Sequence, residues 1–370
     1  MSDALLTALS KVNDPELRRS VTELGMIESA EVAGKVAKIK VLLTIASCPM
    51  RDQLGTDITA AAKSVADVSE VEIEYGVMSQ EQRDAVKKLI RGGRDAYIPF
   101  AQPDSLTRVI GIASGKGGVG KSSLTVNLAV AAAKQGLKVG ILDADVYGHS
   151  VPRLMGILGQ RPTAIDQTFI PVEALGVKVV SMEMFKPDRA DPVAYRGPLL
   201  HRVLEQLLSD AYWGDLDLLF LDLPPGTGDI AISLGQLIPN SEILVITTPQ
   251  VAAAEVAERA GRIAHQMKQQ IIGVVENMSD LACPKCGEKI SLFGSGGGIE
   301  SAARLSKLVG TEVPLIASIP FTPELREGGD AGTPIVIADP NCEASKAIAE
   351  LAQKLAKRSQ SIVGRRLPLS

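Results

Sequence analysis

Gly115-Lys116-Gly117-Gly118-Val119-Gly120-Lys121-Ser122 decides how this chain is read. It follows an apolar run, Val109 to Ala113, and opens a stretch with helical spacing, Ser122 to Gln135. Strand, glycine loop, Lys-Ser and helix in that order fit G-x-x-x-x-G-K-[ST] in the context the pattern requires. Glycines let successive backbone N–H groups converge on phosphate oxygens, and the helix N-terminus adds favourable partial charge. Gly115, Lys116, Gly117, Gly118, Val119, Gly120, Lys121 and Ser122, with Ser123 beside them, form the candidate nucleotide cradle. Lys121 is placed to reach the β- and γ-phosphates, and Ser122 to ligate Mg2+.

The surrounding pattern repeats strand then helix. Val139 to Leu142, Val177 to Met182, Leu218 to Leu221, Ile243 to Thr247 and Ile271 to Val275 read as further strands, several of them continuous apolar runs suited to a sheet buried on both faces. Leu199 to Asp210, Ala252 to Gln269 and Ile299 to Val309 read as helices, and Gly136 stands where a helix C-terminal glycine belongs. The expected fold is α/β, a doubly wound and mainly parallel sheet preceded by a small α+β domain. Asp222 ends one strand where a carboxylate holding the Mg2+ shell belongs, and the loop Pro224-Pro225-Gly226-Thr227-Gly228-Asp229 follows it. Asp143 and Asp145 end another, and one of them is expected to orient water for attack on the γ-phosphate.

Ahead of this region, residues 1–90 alternate short patterns. Lys38 to Ile45 and Glu70 to Tyr75 read as half-buried strands, with a helical segment from Asp52 to Val68 between them. Residues 91–106 read as a linker, 107–357 as the nucleotide-binding domain and 358–370 as a basic tail. The formal net charge of the 370 residues is -4. That near balance, with only six Phe, five Tyr and one Trp, argues against a nucleic-acid partner held by bulk charge or base stacking. No uncharged apolar run approaches the ~18 residues a membrane span needs, and the first residues lack a signal-peptide pattern. A soluble, cytoplasmic protein is expected.

Four cysteines are too few for a disulfide scaffold at this length. Cys283-Pro284-Lys285-Cys286-Gly287 has the spacing for two thiolates on one metal centre, and a symmetric dimer would supply four. Spacing alone leaves zinc, iron–sulfur and a redox dithiol open. Cys48, before Pro49 at the start of the Asp52 helix, reads equally as a reactive thiolate or a buried structural cysteine. Cys342 reads as incidental.

Lys116 is more than a plain phosphate loop needs. Gly-Lys-Gly-Gly-Val-Gly-Lys-Ser resembles the deviant Walker loop of the MinD/ParA/nitrogenase-iron-protein class. That resemblance implies that Lys116 reaches across a homodimer to the partner's ATP, that Asp145 is the switch-I aspartate, Asp222 the Walker B aspartate, and Asn277 the adenine-contacting residue. Asn277-Met278-Ser279 followed by Cys-Pro-x-Cys-Gly and Phe293-Gly294-Ser295-Gly296-Gly297-Gly298 narrows the match. So do Asp143-Ala144-Asp145-Val146-Tyr147-Gly148, Asp222 to Asp229, and Arg326-Glu327-Gly328-Gly329-Asp330. These resemble the Mrp/ApbC family of iron–sulfur carrier ATPases, and Asn13-Asp14-Pro15-Glu16 with Ser47-Cys48-Pro49-Met50 resembles its SufT-like small domain. The resemblance implies slow ATP hydrolysis and a 4Fe-4S cluster bridged by Cys283 and Cys286 of two protomers, passed to apo iron–sulfur proteins and met by cluster-assembly factors. His149 departs from the proline usual there and reads as a plain loop residue, the alternative being a residue that tunes nucleotide turnover. Two rivals share the loop: a MinD/ParA-like positioning ATPase with a zinc-clamped dimer, and an ATP-driven iron–sulfur reductase.

Overall fold

The computed structural model describes residues 3–15, 17, 19–44, 50–90, 97–145, 148–165, 168–186, 198–226, 228–283 and 285–357. Cys48, the start of the linker (residues 91–96) and the basic tail (residues 358–370) lie outside them. The chain divides into two compact units: one from residues 1–97, 162–171 and 208–212, the other from 98–161, 172–207 and 213–370.

In the second unit, residues 109–114, 139–143 and 218–222 are buried without a gap, as strands covered on both faces must be. They belong to an eight-stranded sheet. Its order is Leu315–Ile319, Gln270–Asn277, Glu242–Thr247, Arg108–Ser114, Leu218–Asp222, Val139–Asp143, Val177–Ser181, Val172–Ala174. Every neighbour pairing is parallel except the last, where Val172–Ala174 runs antiparallel at the edge. The helix Lys121–Lys134 is apolar almost all round, with Leu124, Val126, Leu128 and Ala129 to Ala132 buried. It is enclosed between the sheet and the helix Glu343–Ala356, sharing one core with Ile110, Phe220, Ile348 and Leu351. Burying each such large side chain is worth about 1.5–3 kcal/mol. The helix stops as expected: Gln135 caps it and Gly136 takes the left-handed φ of +88° that glycine tolerates.

The first unit carries a three-stranded sheet in which Val36–Leu43 pairs antiparallel with Ile27–Ala33 and parallel with Glu70–Val77. One face packs Ile39 and Val41 with Leu5, Leu9, Leu54 and Ile58. The other is wet and charged: Lys40 lies 2.8 Å from Glu28, and Lys38 lies 3.4 Å from Glu72. Such exposed pairs add little stability. No helix among the described residues is long and apolar enough to cross a membrane.

Candidate functional site

Parallel strands end together, and here the carboxyl ends carry the polar residues: Ser114, Asp143, Asp222, Thr247 and Asn277 each close a strand. The glycine loop leaves the central one. Gly118 and Gly120 have left-handed φ values of +77° and +78°, which explains two of its glycines by curvature. Gly115 is explained by close approach, since a Cβ there would lie 2.0 Å from the carbonyl oxygen of Val256. Val119 contributes backbone only: its side chain is 2% exposed in the core, and its carbonyl accepts from Asn277 Nδ2 at 2.8 Å. Ser123 sits in the first helical turn, its carbonyl accepting from Asn127 Nδ2.

Lys121 Nζ donates to Asp222 Oδ1 at 2.7 Å and lies 3.3 Å from Ser122 Oγ. Thr125, one helical turn on, places its hydroxyl 3.0 Å from the same carboxylate oxygen. Lys121 is 6% exposed and Asp222 fully buried, so each is the other's charge compensation. Asp222 Oδ2, Thr247 Oγ1 and Asn277 Oδ1 are buried with no hydrogen-bond partner. Buried acceptors are normally satisfied. Thr168 Oγ1 and Trp213 Nε1 are orphaned as well, but these three stand at carboxyl ends of strands in one sheet and fit a pocket completed by a bound group: Asp222 Oδ2 suits the hydration shell of Mg2+, and Asn277 Oδ1 an amine donor on a base.

Asp143 lies directly across the strand pair from Asp222. Burial, followed by the Asp222 charge, pushes its carboxyl well above the usual carboxylate range, against the opposing pull of Lys121 and of the Ser181 hydroxyl. Its oxygens accept from Ser181 Oγ at 3.0 Å and from the Asp145 N–H at 3.2 Å. Asp145 reaches the margin of the site at 9% exposure, with one carboxylate oxygen accepting from the Gly148 N–H at 3.0 Å. His149 is no bare loop residue: its Nδ1 stands 3.7 Å from Glu183 Oε2, and both side chains are largely enclosed. Lys116 Nζ donates to Gln250 Oε1 at 2.7 Å.

The thiol pair stands on a small hairpin, Leu281–Ala282 against Lys289–Ile290, that continues from the strand bearing Asn277. The Cys283 N–H donates to Glu288 O, and the Gly287 N–H returns to Cys283 O, both at 2.8 Å. Cys283 is half-buried and Cys286 exposed. The Cys283 thiol is held below its ordinary value by the backbone N–H of Lys285, then by that of Cys286 and by the Cys286 side chain. The hairpin is braced at its base, where Ser291 Oγ donates to Asp280 Oδ1 at 2.7 Å and Phe293 meets Phe321 edge-on at 6.0 Å. Among the described residues, no group of three or more His, Cys, Asp or Glu is arranged to hold a metal ion, and the hairpin presents two thiols, Cys283 and Cys286.

Residues 105–356 match the family described as NUBPL iron-transfer P-loop NTPase. Residues 2–74 match that described as iron-sulfur cluster assembly protein. The iron-sulfur cluster carrier protein of Mycobacterium leprae is 52% identical over 366 residues, covering 98% of this chain and 95% of that protein. This chain belongs to the iron–sulfur cluster carrier family of P-loop NTPases. The iron-sulfur cluster carrier protein of Deinococcus radiodurans is 42% identical over 357 residues, with 96% of this chain and 95% of that protein covered. Among solved structures, a nucleotide-binding protein from Archaeoglobus fulgidus, in complex with ADP, is similar with a TM-score of 0.54 and 34% identity. It covers 66% of this chain and 95% of its own.

In this carrier-family chain, the loop, Asp222, Asp143 and Asn277 come together, and Asp145 joins them through Asp143. Cys283 and Cys286 lie apart from that network, on the continuation of the Asn277 strand. Sequence reading passed over Thr125, Ser181 and Gln250. Thr125 carries a signal, since it stands four residues after Lys121 on a helix and so on the same face. Cys342, read as incidental, caps the helix Glu343–Ala356, its sulfur accepting from the Ser345 N–H at 3.3 Å.

Proposed function

We propose that the protein is an ATP-dependent carrier that holds a 4Fe-4S cluster between two copies of itself and releases it to apo iron–sulfur proteins in the cytoplasm. The observation that carries this reading is the paired thiols on a hairpin that directly extends the strand contacting the phosphate loop. Two thiols per protomer supply half of a four-thiolate site, and a two-fold dimer supplies the rest. Val251 and Ile299, 57% and 66% exposed at the starts of two packed helices, favour a covered face there.

ATP would enter with its phosphates on the loop backbone and its base against Asn277, whose free Oδ1 accepts from an exocyclic amine. Lys121 exchanges Asp222 for phosphate oxygens as the nucleotide seats. Ser122 and Asp222 would hold Mg2+, which neutralises phosphate charge when bound. Asp143 is fully buried and Asp145 reaches the margin of the site, so Asp145 orients the attacking water. Lys116 acts on the partner's nucleotide, which makes dimer geometry sensitive to nucleotide state. The exposed Cys286 leaves the cluster open to an acceptor.

The test is anaerobic reconstitution with iron and sulfide of the wild type and of the chain carrying Cys283→Ser with Cys286→Ser. The wild type should take up about four irons and four sulfides per dimer. The double variant should take up none while binding ATP as before. Iron retained by the double variant, or zinc bound with no sulfide, refutes the assignment.

A further inference from the structure

We propose that Gln250 is the resting partner of Lys116, a latch that keeps the lysine within its own chain until a second protomer's nucleotide draws it away. The proposal rests on the reading that Lys116 acts across the dimer. Lys116 Nζ donates to Gln250 Oε1 at 2.7 Å, and Thr248 Oγ1 lies 3.3 Å from the same oxygen. Both Lys116 and Gln250 are half-buried, so the bond is neither dissolved in solvent nor sealed in the core. Lys121 already serves the chain's own carboxylate, Asp222, while Lys116 is bonded to Gln250.

The acceptor's chemistry sets the strength of the latch. A side-chain amide carries no net charge, so it holds an ammonium by one charge-assisted hydrogen bond. A triphosphate with several negative charges outcompetes it once a partner brings one near. A carboxylate at the same place would form an ion pair and resist release. The loop that presents Gln250 is itself fixed. The Gly297 N–H donates to Pro249 O at 2.9 Å, and a Cβ on Gly297 would lie 2.5 Å from Thr248 O. The latch therefore opens by rotation of the Lys116 side chain, with the loop staying in place.

Gln250 is a positioning residue on this account, and its variants should move dimerisation in opposite directions. The measurement is sedimentation velocity of the full-length chain across protein concentrations, reduced and with chelator, with and without a non-hydrolysable ATP analogue. Gln250→Ala should dimerise with the analogue at roughly tenfold lower protein concentration than wild type. Gln250→Glu should require a higher concentration, and both should bind the analogue as wild type does when monomeric. Lys116→Ala should bind the analogue and stay monomeric. If Lys116→Ala abolishes the dimer but the two Gln250 variants shift together, do not shift, or lose analogue binding, the latch is refuted alone. If Lys116→Ala dimerises like wild type, the trans reading falls and the latch falls with it.

Discussion

Asp143→Asn isolates one proton. In the folded chain, burial and the facing Asp222 keep the Asp143 carboxyl protonated well above its ordinary value of 3.8. In the unfolded chain the same group ionises near that value. Between the two pKa values the native state binds more protons than the unfolded state, so stability falls as pH rises. The slope is about 1.4 kcal/mol per pH unit for one proton fully retained. Asparagine copies the shape of the protonated acid and still accepts from Ser181, but it has no proton to lose. The variant's own loss should be small, about 1 kcal/mol from realigned hydrogen bonds. Its gain relative to wild type should then grow with pH from mild acid towards neutrality. The chain's single tryptophan, Trp213, is 1% exposed in the same unit and reports its unfolding. Urea titrations followed by Trp213 fluorescence at about pH 5, 6 and 7 give the two curves. Wild type and Asp143→Asn stabilities that run parallel across that range would refute the upward shift of Asp143.

Gly115→Ala drives a Cβ to within 2.0 Å of the Val256 carbonyl oxygen. It should cost about 1–3 kcal/mol in a thermal melt and also weaken ATP binding, and wild-type values for both would show that the close approach is not real. Asn277→Ala removes the bond to Val119 O and the free amide oxygen together. Calorimetric titration should show about tenfold weaker ATP binding and a narrowed preference for ATP over GTP, whereas an unchanged preference would take the base away from Asn277.

The parts of this protein that could be read from sequence are those whose cause is local. The positive φ of Gly118 and Gly120 is a property of those residues, and the carboxylates at 143 and 222 follow from apolar runs that can end in only one direction. The buried strands at 109–114 and 218–222 announce themselves by unbroken hydrophobicity. What escaped depends on contacts far apart in the chain. Lys116 and Gln250 are 134 positions apart, and nothing in either neighbourhood names the other. The edge strand Val172–Ala174 escaped because its turn, Leu175-Gly176, puts a leucine at φ +52° where asparagine or aspartate would have signalled a hairpin. Leu315–Ile319 escaped because it is mostly half-buried and its apolar run is broken by Ser318. The helix expected over 52–68 spans Arg51–Lys63, and the chain reverses at Asp67 with φ +68°. Cys342 looked idle because a sulfur acting as a helix cap is uncommon beside serine, threonine, asparagine and aspartate.

The hairpin that carries the thiols leaves the sheet just past Asn277, and six residues take the chain from that side chain at 277 to Cys283. That is at most about 20 Å of backbone even when fully drawn out. Only residues 278–280 separate the end of the strand from the hairpin, with Met278 at a φ of +58°. The thiol hairpin is therefore tied closely to the end of the strand that bears Asn277. A lineage that discarded the thiols would keep the contact between Asn277 and the glycine loop, but one that discarded the strand would lose that contact and the thiol hairpin in a single step.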